Sequence, residues 1–141
     1  SSLRAEEKFE QAKKVLKKAY EILARLGLEN TEVELLVISW CKIKRDLARQ
    51  KNDYLKKTTI VDFLPIPSSC VFQFLFEELK TFSSFRSEST VNHMFDDMFQ
   101  CISRLESLPT DDPLIKSRVY LEIAQFELND SEGVYKEHFK L

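Results

Sequence analysis

Residues 8–22, KFEQAKKVLKKAYEI, contain the pattern that decides the fold. Apolar residues recur there at spacings of three and four, which places them on one face of an α-helix. These positions are Phe9, Ala12, Leu16 and Ala19. The lysines of the stretch lie off that face. Extended outward, the pattern predicts a helix over residues 3–26 that ends at Gly27, because glycine favours the left-handed conformation found after helix C-termini.

The rest of the chain repeats this amphipathic pattern between short breaks. Thr31 with Glu34 has the spacing of a capping box, and Asp112 followed by Pro113 suits an N-cap and a first helical residue. Further helices are predicted at 32–51, 69–83, 89–107, 113–128 and 131–140. Residues 53–63 are predicted as a short helix, although the β-branched residues at 58–61 would also suit a strand. The helix at 32–51 is apolar on several sides, which indicates burial between neighbours.

The sequence therefore predicts an all-α fold of about seven antiparallel helices, because short connections make successive helices antiparallel. We expect stacked helical hairpins, as an α-solenoid fragment or a helical bundle. Hydrophobic residues make up 43% and charged residues 31% of the chain, the usage of an ordinary globular protein. Residues 1–141 are expected to form a single domain, or a fragment of a longer helical-repeat protein.

The charge distribution and the number of cysteines limit the class of protein and the cellular compartment that we expect. Residues 1–57 carry 14 Lys and Arg against 9 Asp and Glu, whereas residues 58–141 carry 7 against 14. An odd number of cysteines argues against a disulfide framework, so Cys41, Cys70 and Cys101 are predicted as small core residues in a reducing compartment. No apolar run is long enough to span a membrane. We expect an intracellular protein of the cytoplasm or nucleus.

The stretch from Lys8 to Ile22 resembles the second helix of a tetratricopeptide repeat. That helix has an aromatic residue at its entry, then alternating small and large apolar residues, and Phe9, Ala12, Leu16 and Ala19 match these positions. The small residues let a paired helix approach closely. The resemblance implies a TPR-like scaffold that binds proteins, with a chain that starts half-way through a repeat. The looser pattern of helix pairs is similar to that of meiotic synapsis-initiation scaffolds and of the separase helical arm.

No catalytic or cofactor motif is present. With two glycines the chain has no Gly-rich phosphate loop, and the two histidines, His93 and His138, belong to no metal-binding motif. No sequence feature indicates a catalytic Cys–His pair across helices, such as Cys41 with His93. The adjacent carboxylates Asp96 and Asp97 are predicted on a solvated face. We therefore expect no enzymatic activity, no metal and no cofactor.

Three basic residues form the candidate binding site. The distal half of the second predicted helix is basic, with Lys44 among its cations, and Lys42, Arg45 and Arg49 recur there at spacings of three and four. The simplest interpretation is a solvated surface. As a binding surface, the stripe suits an acidic peptide or partner protein better than nucleic acid, because no aromatic residues interleave as stacking platforms.

Three functional hypotheses remain open. The first is a non-catalytic module that binds a peptide or partner subunit. The second is a structural subdomain of a larger chromosome- or cell-cycle-associated complex. The third is a nucleic-acid-binding helical domain that uses the basic face. The sequence does not determine the oligomeric state.

Overall fold

A computed structural model describes residues 2–49, 58–85, 88–109 and 112–129, which form six α-helices and a short 3₁₀ turn, without strands. The helices are α1 (Ser2–Leu26), α2 (Asn30–Arg49), α3 (Ile60–Phe63), α4 (Val71–Ser84), α5 (Glu88–Glu106) and α6 (Pro113–Asn129), and the 3₁₀ turn is Ser68–Cys70. The predicted all-α fold is confirmed. The seventh predicted helix, at 131–140, lies outside the described residues.

Two predicted helix boundaries are confirmed. Helix α1 ends at Leu26, and Gly27 follows with a φ of 96°, in the left-handed region. Helix α6 begins at Pro113, and the backbone N–H of Leu114 donates to Asp112 Oδ1 at 2.9 Å, so Asp112 caps the helix as expected.

The capping box is at a different place from the one predicted. Helix α2 already begins at Asn30, so Thr31 lies inside it. A capping box is present at α3, where the backbone N–H and the hydroxyl of Thr59 both donate to Asp62 Oδ2, at 3.2 and 2.9 Å. Arg104 of α5 donates to the other oxygen of Asp62 at 2.5 Å, and this contact ties the short helix to the bundle.

Helices α2 and α4 form the centre of the described fold. Helix α2 packs against α1, α4 and α5, and α4 packs against α2, α3, α5 and α6. The burial of α2 between neighbours is thereby confirmed. The largest fully buried apolar side chains, each less than 2% exposed, are Trp40, Phe74, Phe82, Ile60, Leu75, Leu79 and Ile102.

Helix α1 is held at one end of this bundle. Its Phe9 ring lies 6.4 Å from the ring of Trp40 on α2, and Tyr20 donates a hydrogen bond of 2.8 Å to the carbonyl of Pro65. Ala12 and Ala19 are half-buried. The prediction that a second helix packs against α1 is confirmed. Among the described helices, none combines the length and the hydrophobicity needed to cross a membrane.

Replacing Gly27 with alanine should lower the free energy of unfolding by about 1 kcal/mol, because an L-residue is strained at this positive φ. An added Cβ would meet no atom within 4 Å, so steric overlap contributes nothing. Urea unfolding measures the change. The matched control is Glu29→Ala in the same connection, which is exposed and should change stability by less than about 0.5 kcal/mol. Equal values for both variants would contradict a strained Gly27.

Candidate functional site

The three predicted site residues share one face of α2. Spacings of three and four bring Lys42, Arg45 and Arg49 onto the same side of a helix. Lys42 is exposed and Arg45 is half-buried, whereas the side chain of Arg49 lies outside the described part of the structure. Helix α2 therefore presents a basic face that begins at Lys42.

Arg45 is oriented by an aromatic ring from the end of α4. Its guanidinium carbon lies 4.7 Å from the centroid of Phe85, within the range of a cation–π contact. The buried Nε of Arg45 has no hydrogen-bond partner among the described residues. A carboxylate oxygen of Asp46 lies 3.8 Å from Nε, beyond hydrogen-bond distance. The contact with Phe85 thus positions the Arg45 guanidinium at the end of α4.

A shallow groove lies between α2 and α4, next to this cation. Its volume is about 350 Å³. The lining residues are Glu34, Ile38, Glu77, Lys80, Thr81, Ser84 and Phe85. We call this surface the α2–α4 groove. Phe85 both lines it and contacts Arg45, so the groove adjoins the basic face. Its apolar residues could receive a side chain, and its charged residues are of both signs.

A smaller groove separates α5 from α6. Its volume is about 200 Å³, and its lining is mostly apolar. The residues that line it are Leu105, Glu106, Leu108, Ile115, Lys116, Val119 and Tyr120. It contains no cysteine or histidine and a single carboxylate, so its chemistry suits an apolar contact.

The interior contains a buried ion pair that the sequence does not predict. Lys44 of α2 pairs with Asp97 of α5, and their side chains are only 4% and 5% exposed. Lys44 Nζ also donates a hydrogen bond of 2.8 Å to the carbonyl of Thr58. The prediction that Asp97 lies on a solvated face is therefore wrong, and Lys44 does not belong to the exposed basic stripe. A charge that is buried away from water requires a charged or hydrogen-bonding partner. Lys44 and Asp97 are such partners for each other.

Glu78 of α4 is completely buried near this pair. Its Oε1 accepts the backbone N–H of Ile60 at 2.7 Å, and its Oε2 lies 3.0 Å from the sulfur of Cys101. Burial raises the pKa of Glu78 from 4.5 to about 7, although Lys44 and the two hydrogen bonds oppose the rise. Glu78 lines neither groove. The carboxyl group of Glu78 therefore accepts a hydrogen bond from the first backbone N–H of α3.

The cysteine thiols are part of the same interior. Cys41 and Cys101 are buried, as predicted, whereas Cys70 is half-buried, and all three are free thiols. Burial raises the pKa of Cys101 well above its usual value, and the neighbouring Glu78 raises it further. Burial likewise raises the pKa of Cys41. Both groups stay as neutral thiols, which are poor nucleophiles.

One sequence signal could have located this buried network. Lys44 follows the buried Trp40 by four residues, and Glu78 lies three residues after Leu75 and four before Phe82. A charged residue inside an apolar stripe of helical spacing is a candidate for a buried charge. The spacing does not identify the residue with which such a charge pairs in the folded protein.

The part of the chain that the structure describes contains no group of three His, Cys, Asp or Glu residues that could hold a metal ion. The side chains of His93 and Asp96, and all of His138, lie outside the described part.

Comparisons with known proteins leave the family open. No family model matches the sequence, and searches of the curated proteins and of the solved structures found no match.

Proposed function

We propose that this chain is a non-catalytic, TPR-like protein-interaction module that binds an acidic segment of a partner on the basic face beside the α2–α4 groove. The observation that carries the proposal is Arg45, whose guanidinium carbon lies 4.7 Å from the ring centroid of Phe85 at the edge of the α2–α4 groove. The planar, permanently charged guanidinium group of arginine is suited to bidentate binding of a carboxylate.

The surroundings of Arg45 support a peptide as the ligand. Lys42 is exposed one turn earlier on the same face and adds a second cation. Ile38 and Phe85 supply apolar surface in the groove. A peptide that places an apolar side chain in the groove and a carboxylate on the basic face would use both features. We propose Lys42, Arg45 and Arg49 as the binding residues and expect no cofactor or metal.

The test uses a display library of short peptides with equal numbers of acidic, neutral and basic members. Selection on the wild-type chain should enrich acidic peptides. Their affinity, measured by fluorescence anisotropy, should fall at least about a hundredfold when Lys42, Arg45 and Arg49 are all replaced with glutamate, because each charge-assisted hydrogen bond contributes roughly 1.5–3 kcal/mol. Binding should also weaken as salt is added.

The matched control replaces the exposed Lys14, Lys17 and Lys18 of α1 with glutamate. This change alters the net charge by the same amount on another surface, so affinity for peptides bound at α2 should stay close to the wild-type value. Replacing the half-buried Arg45 could disturb packing. The Lys42→Glu/Arg49→Glu variant therefore keeps Arg45 and tests the charge alone. Unchanged affinity in both α2 variants would contradict the proposed site. Selective binding of oligonucleotides with a steep salt dependence would instead favour the nucleic-acid hypothesis.

A second candidate function is that of a structural subdomain in a larger assembly, such as a chromosome- or cell-cycle-associated complex. Exposed apolar residues on the first and last described helices favour it: Leu26 of α1 is 79% exposed, and Leu114 and Leu121 of α6 are each 67% exposed. Exposed apolar residues on such helices suit coverage by further helices. A monomer that remains monodisperse in sedimentation velocity at high concentration would count against this candidate.

A further inference from the structure

The outer face of α1 carries an aliphatic stripe that the described bundle leaves open. Val15, Ile22 and Leu26 are 69%, 51% and 79% exposed. Spacings of seven and four place the three side chains on one side of the helix. We call them the α1 stripe. Large aliphatic residues aligned in this way on a folded protein indicate an interaction surface.

The apolar part of α1 is wider than one neighbouring helix needs. At about 100° per residue, it covers a sector of roughly 160°, from Ile22 through Ala12 and Ala19 to the buried Tyr20. A helix that packs on one core typically shows a sector of about 100°. Helix α2 covers the Tyr20 side. The half-buried alanines lie between the two sides, where small side chains allow a second helix to approach closely.

The charges beside the stripe define the chemistry of its partner. Helix α1 contains seven Lys and Arg against four Glu. The exposed cations Lys14, Lys18 and Arg25 lie along one side of the stripe, opposite Ala12 and Ala19, and outnumber the exposed Glu21 of the same side. A second copy of the chain packed antiparallel on α1 would bring the two basic sides together, which like charges oppose. A helix whose own aliphatic stripe is flanked by glutamate or aspartate would match both the shape and the charge.

We infer that the α1 stripe binds an amphipathic helix with acidic residues along one side of its aliphatic face. This inference rests on the proposed role as a protein-interaction module and adds a second surface to it, distinct from the α2–α4 groove. The partner helix would pack its apolar side chains on Val15, Ile22 and Leu26, approach over Ala12 and Ala19, and direct its carboxylates toward Lys18 and the other cations of the basic side.

The probe is a display library of helical peptides that share a fixed aliphatic stripe and carry Glu, Gln or Lys at the flanking positions. Selection on the wild-type chain should enrich glutamate at those positions. Selected peptides should lose at least about tenfold in affinity, equivalent to about 1.4 kcal/mol, when Val15, Ile22 and Leu26 are replaced with glutamate. The matched control is the Leu114→Glu/Leu121→Glu variant on α6, which should bind as the wild type does. Circular dichroism and urea unfolding verify that both variants fold.

Each of the other outcomes would overturn the inference and would show which part of it is wrong. Selection without a preference for glutamate would contradict the charge argument, and binding that survives the change at the α1 stripe would contradict the surface. Binding to phosphatidylserine vesicles in place of peptides would assign the stripe to a membrane, and wild-type dimers that the same change abolishes would assign it to a second copy. Peptides that are lost only in the α2 variants would overturn this inference and leave the proposed function intact, whereas the absence of binders to either surface would count against both.

Discussion

Replacing Lys44 with methionine should lower the free energy of unfolding by about 3–5 kcal/mol, the range found when one partner of a buried ion pair is removed. Methionine has a similar length and can keep the packing near Trp40, whose ring centroid lies 5.6 Å from Lys44 Nζ. What the substitution removes is the cation beside the buried Asp97 and the hydrogen bond to the carbonyl of Thr58. Urea unfolding followed by circular dichroism measures the loss.

Two variants show whether burial is the cause. Lys42→Met changes the same residue type two positions earlier on α2, where the side chain is exposed, and should cost less than about 0.5 kcal/mol. The double variant Lys44→Met/Asp97→Leu removes both charges and should recover most of the stability, because apolar pairs replace buried ion pairs with little net loss. A similar loss in Lys44→Met and Lys42→Met would show that Lys44 is in contact with water.

The second large effect is a fall in stability as pH rises, which Glu78 should cause. Burial in the folded chain raises the pKa of Glu78 from its ordinary value of 4.5 to about 7. The folded state therefore binds the proton more tightly than the unfolded state. The stabilisation from this group is complete below pH 4.5, is lost as pH rises toward 7 and stays lost above it, a total of about 3 kcal/mol.

Glu78→Gln isolates this contribution. The glutamine oxygen can still accept the Ile60 N–H, but the side chain does not ionise. The stability of this variant relative to the wild type should rise by about 3 kcal/mol between pH 4.5 and 8, measured by urea unfolding across that range. Glu77→Gln is the control, because Glu77 lies on the α2–α4 groove and pairs with Lys80 at 3.1 Å, and it should follow the wild-type pH profile. Parallel profiles for Glu78→Gln and the wild type would contradict a buried, titrating Glu78.

These two effects explain why the candidate surfaces lie where they do. The contact of Glu78 with Ile60 holds α3 against α4, and Lys44 joins α2 to α5. The Lys44–Asp97 pair thus helps to fix α2 in the middle of the bundle. Its remaining face carries Lys42 and Arg45 beside the α2–α4 groove, so the proposed binding residues are displayed by a buried and therefore rigid helix.

Local sequence patterns determined the helices and several of their ends. Gly27 ends α1 and Asp112 caps α6, because left-handed backbone and an N-cap hydrogen bond depend on one or two adjacent residues. The apolar spacing of Phe9 and Leu16 likewise identified the buried face of α1. The basic face of α2 follows from spacing alone, although its role as a binding site stays a prediction.

Only the tertiary structure decided which charges are buried and which apolar residues remain exposed. Lys44 and Asp97 are far apart in the sequence, and the sign of each gives no information about the other until α2 and α5 pack together. Val15 is a large aliphatic residue but is 69% exposed, because α2 packs against the other side of α1. Helical periodicity is a property of a few neighbouring residues, whereas burial depends on which helices meet and on which side.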